Sequence, residues 1–358
     1  MRPRSRILAP DRAALLRPLL EALDAGLDHA ARIGFDPVEL PRRYRTAADQ
    51  EVAGLVAASL AYGRADVFKP VLERVLSRMA PAPARFAEAF AVDPDPGAFS
   101  GFLYRFNRPA DLAALVAAIG HVRRRHGSLG ARFAALFREE GGGPAALRPA
   151  LARFARELRE APPVPGLLAG RGRRGLLHLL PDPRGTGACK RWNLYLRWMI
   201  RGPDRIDLGA WRGVPASALV VPLDTHVLRI GRCLGLTARA DASWRTAEEI
   251  TASLRRLDPD DPVRFDFALC HLGMSGACPA RRDDRRCAEC PLSTVCAGRA
   301  TAGRRASTAV PRSGRGRRGA QPQPGEAGPQ RAGPALARRQ RRGAGPGAAG
   351  GRDGSRQR

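Results

Sequence analysis

One amine and one carboxylate in the middle of the chain, Lys190 and Asp224, are the residues whose types best suit covalent chemistry. The chain contains 61 lysine and arginine residues, yet only Lys69 and Lys190 are lysines. Arginine cannot replace an amine nucleophile, because its guanidinium stays protonated at any working pH. A lysine amine that loses its proton can form a Schiff base. Rarity alone leaves Lys190 open as a nucleophile or a surface cation, and its neighbours favour the nucleophile.

A glycine-containing turn precedes Lys190 and indicates a phosphate-binding segment. Pro181 and Pro183 end any preceding helix, the Gly-Thr-Gly sequence after them favours a tight turn, and a helical pattern begins at about Ala188. Backbone N–H groups at such a helix start lie at the positive end of the helix dipole and suit a phosphate. The alternative is a plain connector. The predicted phosphate contacts are Gly185, Thr186, Gly187, Arg191 and Arg197.

Asp224 precedes a second helical run, residues 227–230, which ends near Gly235. Asp224 or Thr225 suits the N-cap position of this helix, and capping alone is one explanation of the carboxylate. The other explanation keeps that geometry and adds a task. A carboxylate that faces the amine of Lys190 accepts its proton or stabilises a cationic sugar.

The segment VPLDTHVLRIGRCLGL resembles the catalytic-aspartate segment of the helix-hairpin-helix (HhH-GPD) DNA glycosylases, which include endonuclease III and the archaeal 8-oxoguanine glycosylase. Endonuclease III-like members have Gly-x-Gly-x-Lys. This chain has one more residue before Lys190 and a longer interval to Asp224, which is more similar to the archaeal branch. The phrases AGLVAASLAYGR and ACKRWNLYLRWMIR also resemble an uncharacterised bacterial family, which implies no particular activity. The positions that match the glycosylase segment are Pro222, Asp224, Thr225, His226, Val227, Arg229, Arg232, Gly235 and Leu236.

The glycosylase resemblance covers about residues 40–298 and implies a two-lobed, all-helical fold. It implies a DNA glycosylase with an attached AP lyase step, which removes a damaged, for example oxidised, base from double-stranded DNA after the nucleotide flips out. Lys190 is then the nucleophile and Asp224 its proton acceptor, with partial burial and the nearby Arg191 and Arg197 lowering the pKa of the amine. The alternative is a non-catalytic DNA- or RNA-binding iron–sulfur protein on the same scaffold.

Four of the seven cysteines fall within one short span near residue 290 and indicate a metal site. Their spacing is Cys-x8-Cys-x2-Cys-x5-Cys, in a chain that shows no secretory signal. Zinc and an iron–sulfur cluster both accept four cysteines, and the spacing alone leaves both open. Endonuclease III-like enzymes close with a similar Cys-x6-Cys-x2-Cys-x5-Cys that binds a [4Fe–4S] cluster, so the resemblance favours iron–sulfur. The predicted ligands are Cys278, Cys287, Cys290 and Cys296, while Cys189, Cys233 and Cys270 are assigned to the core.

Hydrophobic periodicity predicts an all-α fold, because few segments are rich in Val, Ile and Thr. Predicted helices include 52–62 after a Thr46–Asp49 capping box, 66–79, 111–125, 250–257 after a Thr246–Glu249 capping box, and 261–274, with 80–100 as a connector. The predicted regions are a helical N-terminal region (1–165), a hairpin and catalytic helical region (166–275), a four-cysteine loop (276–298) and a disordered Arg/Gly/Pro-rich tail (299–358).

The composition favours a polyanionic partner. The formal net charge is +27, which suits nucleic acid, although an arginine-rich coding style explains part of the excess. The basic clusters 123–126 and 171–174 are candidates for phosphate contacts or solvated surface. We find no apolar run that predicts a membrane span and no signal peptide, so we expect a cytoplasmic monomer.

Overall fold

The computed structural model describes residues 7–95, 97–162 and 172–296, and for residues 172 and 173 it describes the backbone alone. These residues form α-helices, two short 3-10 helices and no β-strand, so the predicted all-α class is confirmed for this part of the chain. The α-helices are α1 (Pro10–Ala25), α2 (His29–Ile33), α3 (Glu39–Arg42), α4 (Ala47–Leu60), α5 (Ala65–Met79), α6 (Pro83–Phe90), α7 (Pro109–His126), α8 (Leu129–Glu139), α9 (Leu147–Arg159), α10 (Gly172–Leu179), α11 (Lys190–Ile200), α12 (Thr225–Leu234), α13 (Trp244–Leu254), α14 (Asp266–Met274) and α15 (Asp284–Glu289).

Local signals locate the helices close to their predicted positions. Thr46 caps α4 by accepting a hydrogen bond from the Asp49 N–H, as predicted. Two expectations are wrong. The predicted connector 80–100 contains α6, which begins with a proline at its first position, where the missing N–H costs nothing. The predicted Thr246 cap lies inside α13, because Ser243 caps that helix by accepting from the Thr246 N–H.

Helix α4 is buried along both faces and packs against α3, α6 and α11. Its one buried carboxylate, Glu51, accepts hydrogen bonds from the Leu129 and Gly130 N–H groups and from Trp211 Nε1. Arg123 also donates to Glu51, and its side chain is buried. Arg123 therefore joins α7 to α4, and the predicted phosphate contact of the 123–126 cluster does not extend to this residue. Because its hydrogen-bond donors come from other segments of the chain, the buried Glu51 carboxylate fixes how α4 packs against them.

The described residues on both sides of the predicted 165/166 boundary belong to one compact unit. The boundary itself, Arg171 and the predicted disordered tail 299–358 lie outside the described residues. No helix among the described residues is both long and apolar enough to cross a membrane.

Candidate active site

Lys190 and Asp224 come from the starts of two helices. Lys190 is the first residue of α11, whose remaining residues are almost all buried, so the helix holds the lysine at its exposed end. Asp224 is the N-cap of α12, and the predicted capping role is confirmed. The two helix starts face each other, and Lys190 Nζ lies 3.2 Å from Asp224 Oδ2. The sequence-predicted amine and carboxylate are thus brought into direct contact.

The two oxygens of Asp224 have separate partners. Oδ1 accepts hydrogen bonds of 2.9 Å from the His226 and Val227 N–H groups at the start of α12. Oδ2 faces Lys190 and also accepts a 3.6 Å contact from the thiol of Cys270 on α14. Because the helix start fixes one oxygen, the other is held towards the amine and keeps its position without help from Lys190.

The resting charges of this pair are opposite. Burial works to lower the pKa of Lys190, but the charge of Asp224 and its hydrogen bond outweigh it, and the pKa lies above its usual value. Burial works to raise the pKa of Asp224, but the charge of Lys190 and the Val227 N–H hold it below its usual value. The resting site therefore holds an ammonium and a carboxylate, and the predicted fall in the pKa of Lys190 is wrong for this state.

A cavity of about 800 Å³ opens onto the pair. The exposed fraction of the side chain is 38% for Lys190 and 13% for Asp224, so the amine is open to an incoming group. Two large apolar side chains that line the cavity are exposed, Phe35 at 67% and Met274 at 45%. Exposed apolar side chains at the cavity give a flat partner a surface to stack on.

A buried ion pair lies in the cavity wall beside the Lys190–Asp224 pair. Arg197 and Asp266 both line the cavity, their side chains are 3% and 4% exposed, and Arg197 donates to Asp266. Burial raises the pKa of Asp266 to about 6, against the opposing charge of Arg197. Arg197 also pairs with the buried Asp207 at 3.2 Å. Its guanidinium is thus held by two carboxylates, and the predicted phosphate contact through Arg197 is replaced by a structural role.

Arg191, the other arginine predicted to contact phosphate, also makes its contacts within the protein. Arg191 Nη1 donates to the Ser59 carbonyl at 2.6 Å, and Nη2 donates to the carbonyl of His178. Its guanidinium lies over the ring of Tyr62, 5.3 Å from the centroid. Arg191 therefore joins α11 to α4 and α10.

The predicted phosphate-binding turn is exposed at its three central residues, 185–187. Arg148 fixes its base by donating to the carbonyls of Pro183 and Gly185, both at 2.9 Å. The left-handed backbone expected of a glycine falls instead on Cys189, with φ of 49°, directly before α11. A Cβ added at Gly187 would meet no atom within 4 Å. Gly187 is therefore not required for packing, and the surface around it is open.

The four predicted metal ligands line one second cavity of about 360 Å³. A fifth thiol, Cys233 from the last turn of α12, lines the same cavity and donates a hydrogen bond to Cys278. That contact, together with Arg229, lowers the pKa of Cys278 to about 6, which favours the thiolate that a metal needs. Within 7–95, 97–162 and 172–296, no three His, Cys, Asp or Glu side chains are gathered at metal-binding distances.

The residues around this second cavity fit a metal group by chemistry and by size. Thiolates are the ligands that zinc and iron–sulfur clusters prefer. A water molecule occupies about 30 Å³ of liquid, so the cavity has room for an ion or a small cluster between the thiols. The predicted assignment of Cys233 to the core does not describe its position, since it faces this cavity.

The fold and these two cavities define the class of protein: a chain whose described residues form an all-helical fold, with a lysine–aspartate pair in one cavity and a set of cysteines around another. Residues 36–275 match the family model described as "Protein of unknown function (DUF2400)", and the chain belongs to this family. The match includes Lys190 and Asp224 and ends before Cys278. Comparisons with curated proteins and with solved structures found no match.

Four residues of the first cavity escaped the sequence analysis: Phe35, Asp36, Asp266 and Cys270. The first two lie far from Lys190 in sequence and carry no motif, so only the fold shows their position. Asp266 and Cys270 did carry a signal. They are four positions apart on one helix face, where an acid and a thiol interrupt a helix that is apolar apart from His271.

Proposed function

We propose that the protein is a DNA glycosylase with an attached AP lyase step, which acts on a damaged nucleotide flipped out of double-stranded DNA. The single observation that supports this best is the 3.2 Å contact between Lys190 Nζ and Asp224 Oδ2 at the wall of an open cavity. An amine beside a carboxylate supplies both a nucleophile and the base that activates it. The sequence resemblance of the 221–236 segment to HhH-GPD glycosylases points to the same chemistry.

The resting ion pair explains how the amine becomes a nucleophile. A flipped nucleotide that fills the cavity displaces water, and the separated charges of Lys190 and Asp224 lose hydration. Transfer of the ammonium proton to Asp224 Oδ2 then gives a neutral pair, which burial favours. Asp224 stays in place during this transfer, because its Oδ1 remains bonded to the His226 and Val227 N–H groups.

The proposed reaction conserves atoms and electrons. The Lys190 amine forms a bond to the anomeric carbon, the carbon–nitrogen bond to the base breaks, and the departing base takes the electron pair and a proton. The sugar ring opens to give an imine on Lys190. Loss of a proton from the adjacent carbon then expels the 3′ phosphate, which breaks the strand by β-elimination. Water finally hydrolyses the imine and releases Lys190.

The cavity offers contacts for each part of a flipped nucleotide. The exposed ring of Phe35 and the side chain of Met274 give the base faces to stack on. The exposed 185–187 turn before α11 suits the backbone phosphate. The cavity wall itself carries acidic and basic groups together, among them Arg32, Asp36 and Asp266, so it suits the polar edge of a base. The long-range attraction for DNA is assigned to the net charge of +27, which includes 15 arginines within residues 299–358.

We also propose that the cysteine cavity holds a [4Fe–4S] cluster, with zinc as the alternative. Cys278, Cys287, Cys290 and Cys296 would hold the group, which would cross-link residues 278–296 after α14. Arg229 ties this segment to α12 by donating to the Cys278 carbonyl at 2.7 Å. Metal analysis of the purified protein distinguishes the two groups: equal iron and acid-labile sulfide with a brown colour support the cluster, and colourless protein with zinc supports the ion.

Borohydride trapping tests the enzymatic proposal directly. Purified protein is incubated with duplex oligonucleotides that each carry one damaged base or an abasic site, and borohydride reduces any imine to a stable cross-link. We expect a cross-link with the wild-type protein and none with Lys190→Gln. The matched control is Lys69→Gln, because Lys69 pairs with Glu39 at 3.2 Å and is not among the residues that line the cavity. A cross-link that persists in Lys190→Gln would mean that another amine is the nucleophile.

A non-catalytic DNA- or RNA-binding protein is the second candidate. The observation in its favour is the raised pKa of Lys190, which keeps the amine protonated at rest. This alternative predicts that DNA binds in the cavity and is neither cleaved nor trapped. Wild-type protein that binds duplexes with every tested lesion but traps none of them would support it.

A further inference from the structure

The cysteine cavity contains one thiol more than a four-ligand metal group requires. Cys233 lies on α12, far in sequence from the other four, and it shares their cavity of about 360 Å³. The other two cysteines outside the loop, Cys189 and Cys270, do not line this cavity. A thiol that faces a cavity lined by four other thiols has the position of a ligand.

Cys278 and Cys296 are the loop thiols that interact with Cys233. The backbone beside both of these thiols is also tied to the last turn of α12, where Cys233 lies, and all three thiols line the same cavity.

Two arginines hold Cys233 against these neighbours. Arg229, one turn earlier on α12, donates to the Cys278 carbonyl at 2.7 Å. Arg12 Nη2 donates to the Val295 carbonyl at 2.5 Å and to the Leu234 carbonyl at 3.4 Å. Arg12 thus ties Val295, the residue before Cys296, to Leu234, the residue after Cys233. The approach of Cys233 to both thiols follows from backbone contacts, which do not depend on the thiols themselves.

We propose that Cys233 is a direct ligand of the metal group, together with Cys278 and Cys296, and that the Cys287/Cys290 pair supplies only the fourth thiolate. This inference rests on the proposed metal site, replaces one of the four loop ligands named there with Cys233, and is independent of the glycosylase chemistry. It makes α12 a shared element, with Asp224 capping its start and a metal ligand in its last turn. Nine residues of helix separate the two by about 14 Å, so the metal group supports the position of Asp224 without reaching Lys190.

Alkylation of the native, metal-loaded protein tests the ligand set. The protein is treated with iodoacetamide before and after metal removal in denaturant, and each cysteine is followed by peptide mass spectrometry. We expect protection of Cys233, Cys278 and Cys296 in the native protein, and rapid modification of one member of the Cys287/Cys290 pair. Rapid modification of Cys233 in metal-loaded protein, with the other four protected, would overturn the proposal.

Metal retention gives a second measurement that does not depend on activity. Cys233→Ala is compared with Cys189→Ala, which removes a half-buried thiol outside the cysteine cavity. We expect Cys233→Ala to lose metal to a chelator at least about tenfold faster than wild type, and Cys189→Ala to match wild type. Equal loss rates in Cys233→Ala and wild type would overturn the proposal. Wild-type protein that carries neither iron nor zinc would overturn it together with the proposed metal site.

Discussion

Lys190 and Asp224 begin two different helices, and the side chain of each reaches the other across the cavity wall, with Nζ 3.2 Å from Oδ2. Capping and chemistry are often competing explanations for an aspartate at a helix start. Here one oxygen caps α12 and the other faces the amine, so both explanations hold at once. The capping bonds also keep the carboxylate in place when its charge changes.

This arrangement predicts a distinctive pH dependence. In the wild type, proton transfer from Lys190 to Asp224 leaves the number of bound protons unchanged. The trapping rate should therefore be flat between the lowered pKa of Asp224 and the raised pKa of Lys190. In Asp224→Asn the amine must lose its proton to solvent, so the residual rate should rise with pH. We expect a loss of about 10²–10⁴-fold at neutral pH.

The charges around Lys190 explain why the residual trapping rate of Asp224→Asn should rise with pH. Asp224 is the strongest of the groups that raise the pKa of this amine, and burial alone lowers it. Removing the carboxylate charge should therefore move the pKa of Lys190 downwards, towards neutral pH. The measurement is the single-turnover trapping rate of both proteins on an abasic duplex at a series of pH values. A flat profile in Asp224→Asn would show that Asp224 is not the proton acceptor.

Gly187→Ala should weaken DNA binding without changing the fold. An added Cβ would meet no atom within 4 Å, and Gly187 does not have the left-handed backbone that penalises alanine. A methyl group on the exposed turn would obstruct a backbone phosphate that approaches the N–H groups. The loss of one such hydrogen bond costs about 1 kcal/mol, or a factor of about five in the dissociation constant.

The matched control for the turn is Gly143→Ala. An alanine there also has open space around its Cβ and no left-handed backbone, but the site precedes α9 and is not in the turn. Fluorescence anisotropy with an abasic duplex measures the affinity, and thermal melting checks the fold. Equal affinities for the two variants would remove the 185–187 turn from the DNA-binding surface.

Phe35→Ala tests whether the flipped base stacks at the cavity. The ring of Phe35 is 67% exposed and lines the cavity, so truncation costs little packing in the free protein. Stacking of a base on an aromatic ring contributes about 1–3 kcal/mol, so the affinity for a flipped nucleotide should fall about tenfold. Leu15→Ala removes a side chain of similar exposure on α1 and should leave the affinity unchanged. An unchanged affinity in Phe35→Ala would remove the ring from the binding surface.

The part of the site that could be predicted from sequence is the part that depends on local chain geometry. The Thr46 and Asp224 caps were identifiable because a cap bonds to N–H groups two or three residues away. Lys190 was identifiable because this chain uses arginine for nearly every other positive charge. That Cys278 and its three partners share one cavity could be predicted from their spacing within one loop.

What the sequence did not provide are the contacts between distant segments. Arg197 has the same residue type and helical position as a surface cation, and only the fold shows that Asp207 and Asp266 enclose it. Cys233 lies on a helix that also carries Arg229 and Arg232, and only the packing of the loop after α14 shows that it faces other thiols. Such long-range pairings follow from how helices pack, which periodicity does not specify.

Arg197 provides the sharpest test of that distinction, because the sequence and the structure predict different results for Arg197→Met. Removing the buried guanidinium leaves Asp266 uncompensated and Asp207 paired with Arg201 alone, which costs about 3–5 kcal/mol of folding free energy. Part of that loss should recover at acidic pH: burial raises the folded-state pKa of Asp266, and loss of the Arg197 charge raises it further, so protonation relieves the unfavourable charge.

Arg17→Met breaks the exposed Arg17–Glu21 pair and should change stability little. Urea unfolding at two pH values measures both variants, and DNA affinity is measured under folding conditions. A stable Arg197→Met protein with weakened DNA binding would instead support the phosphate contact that the sequence predicts.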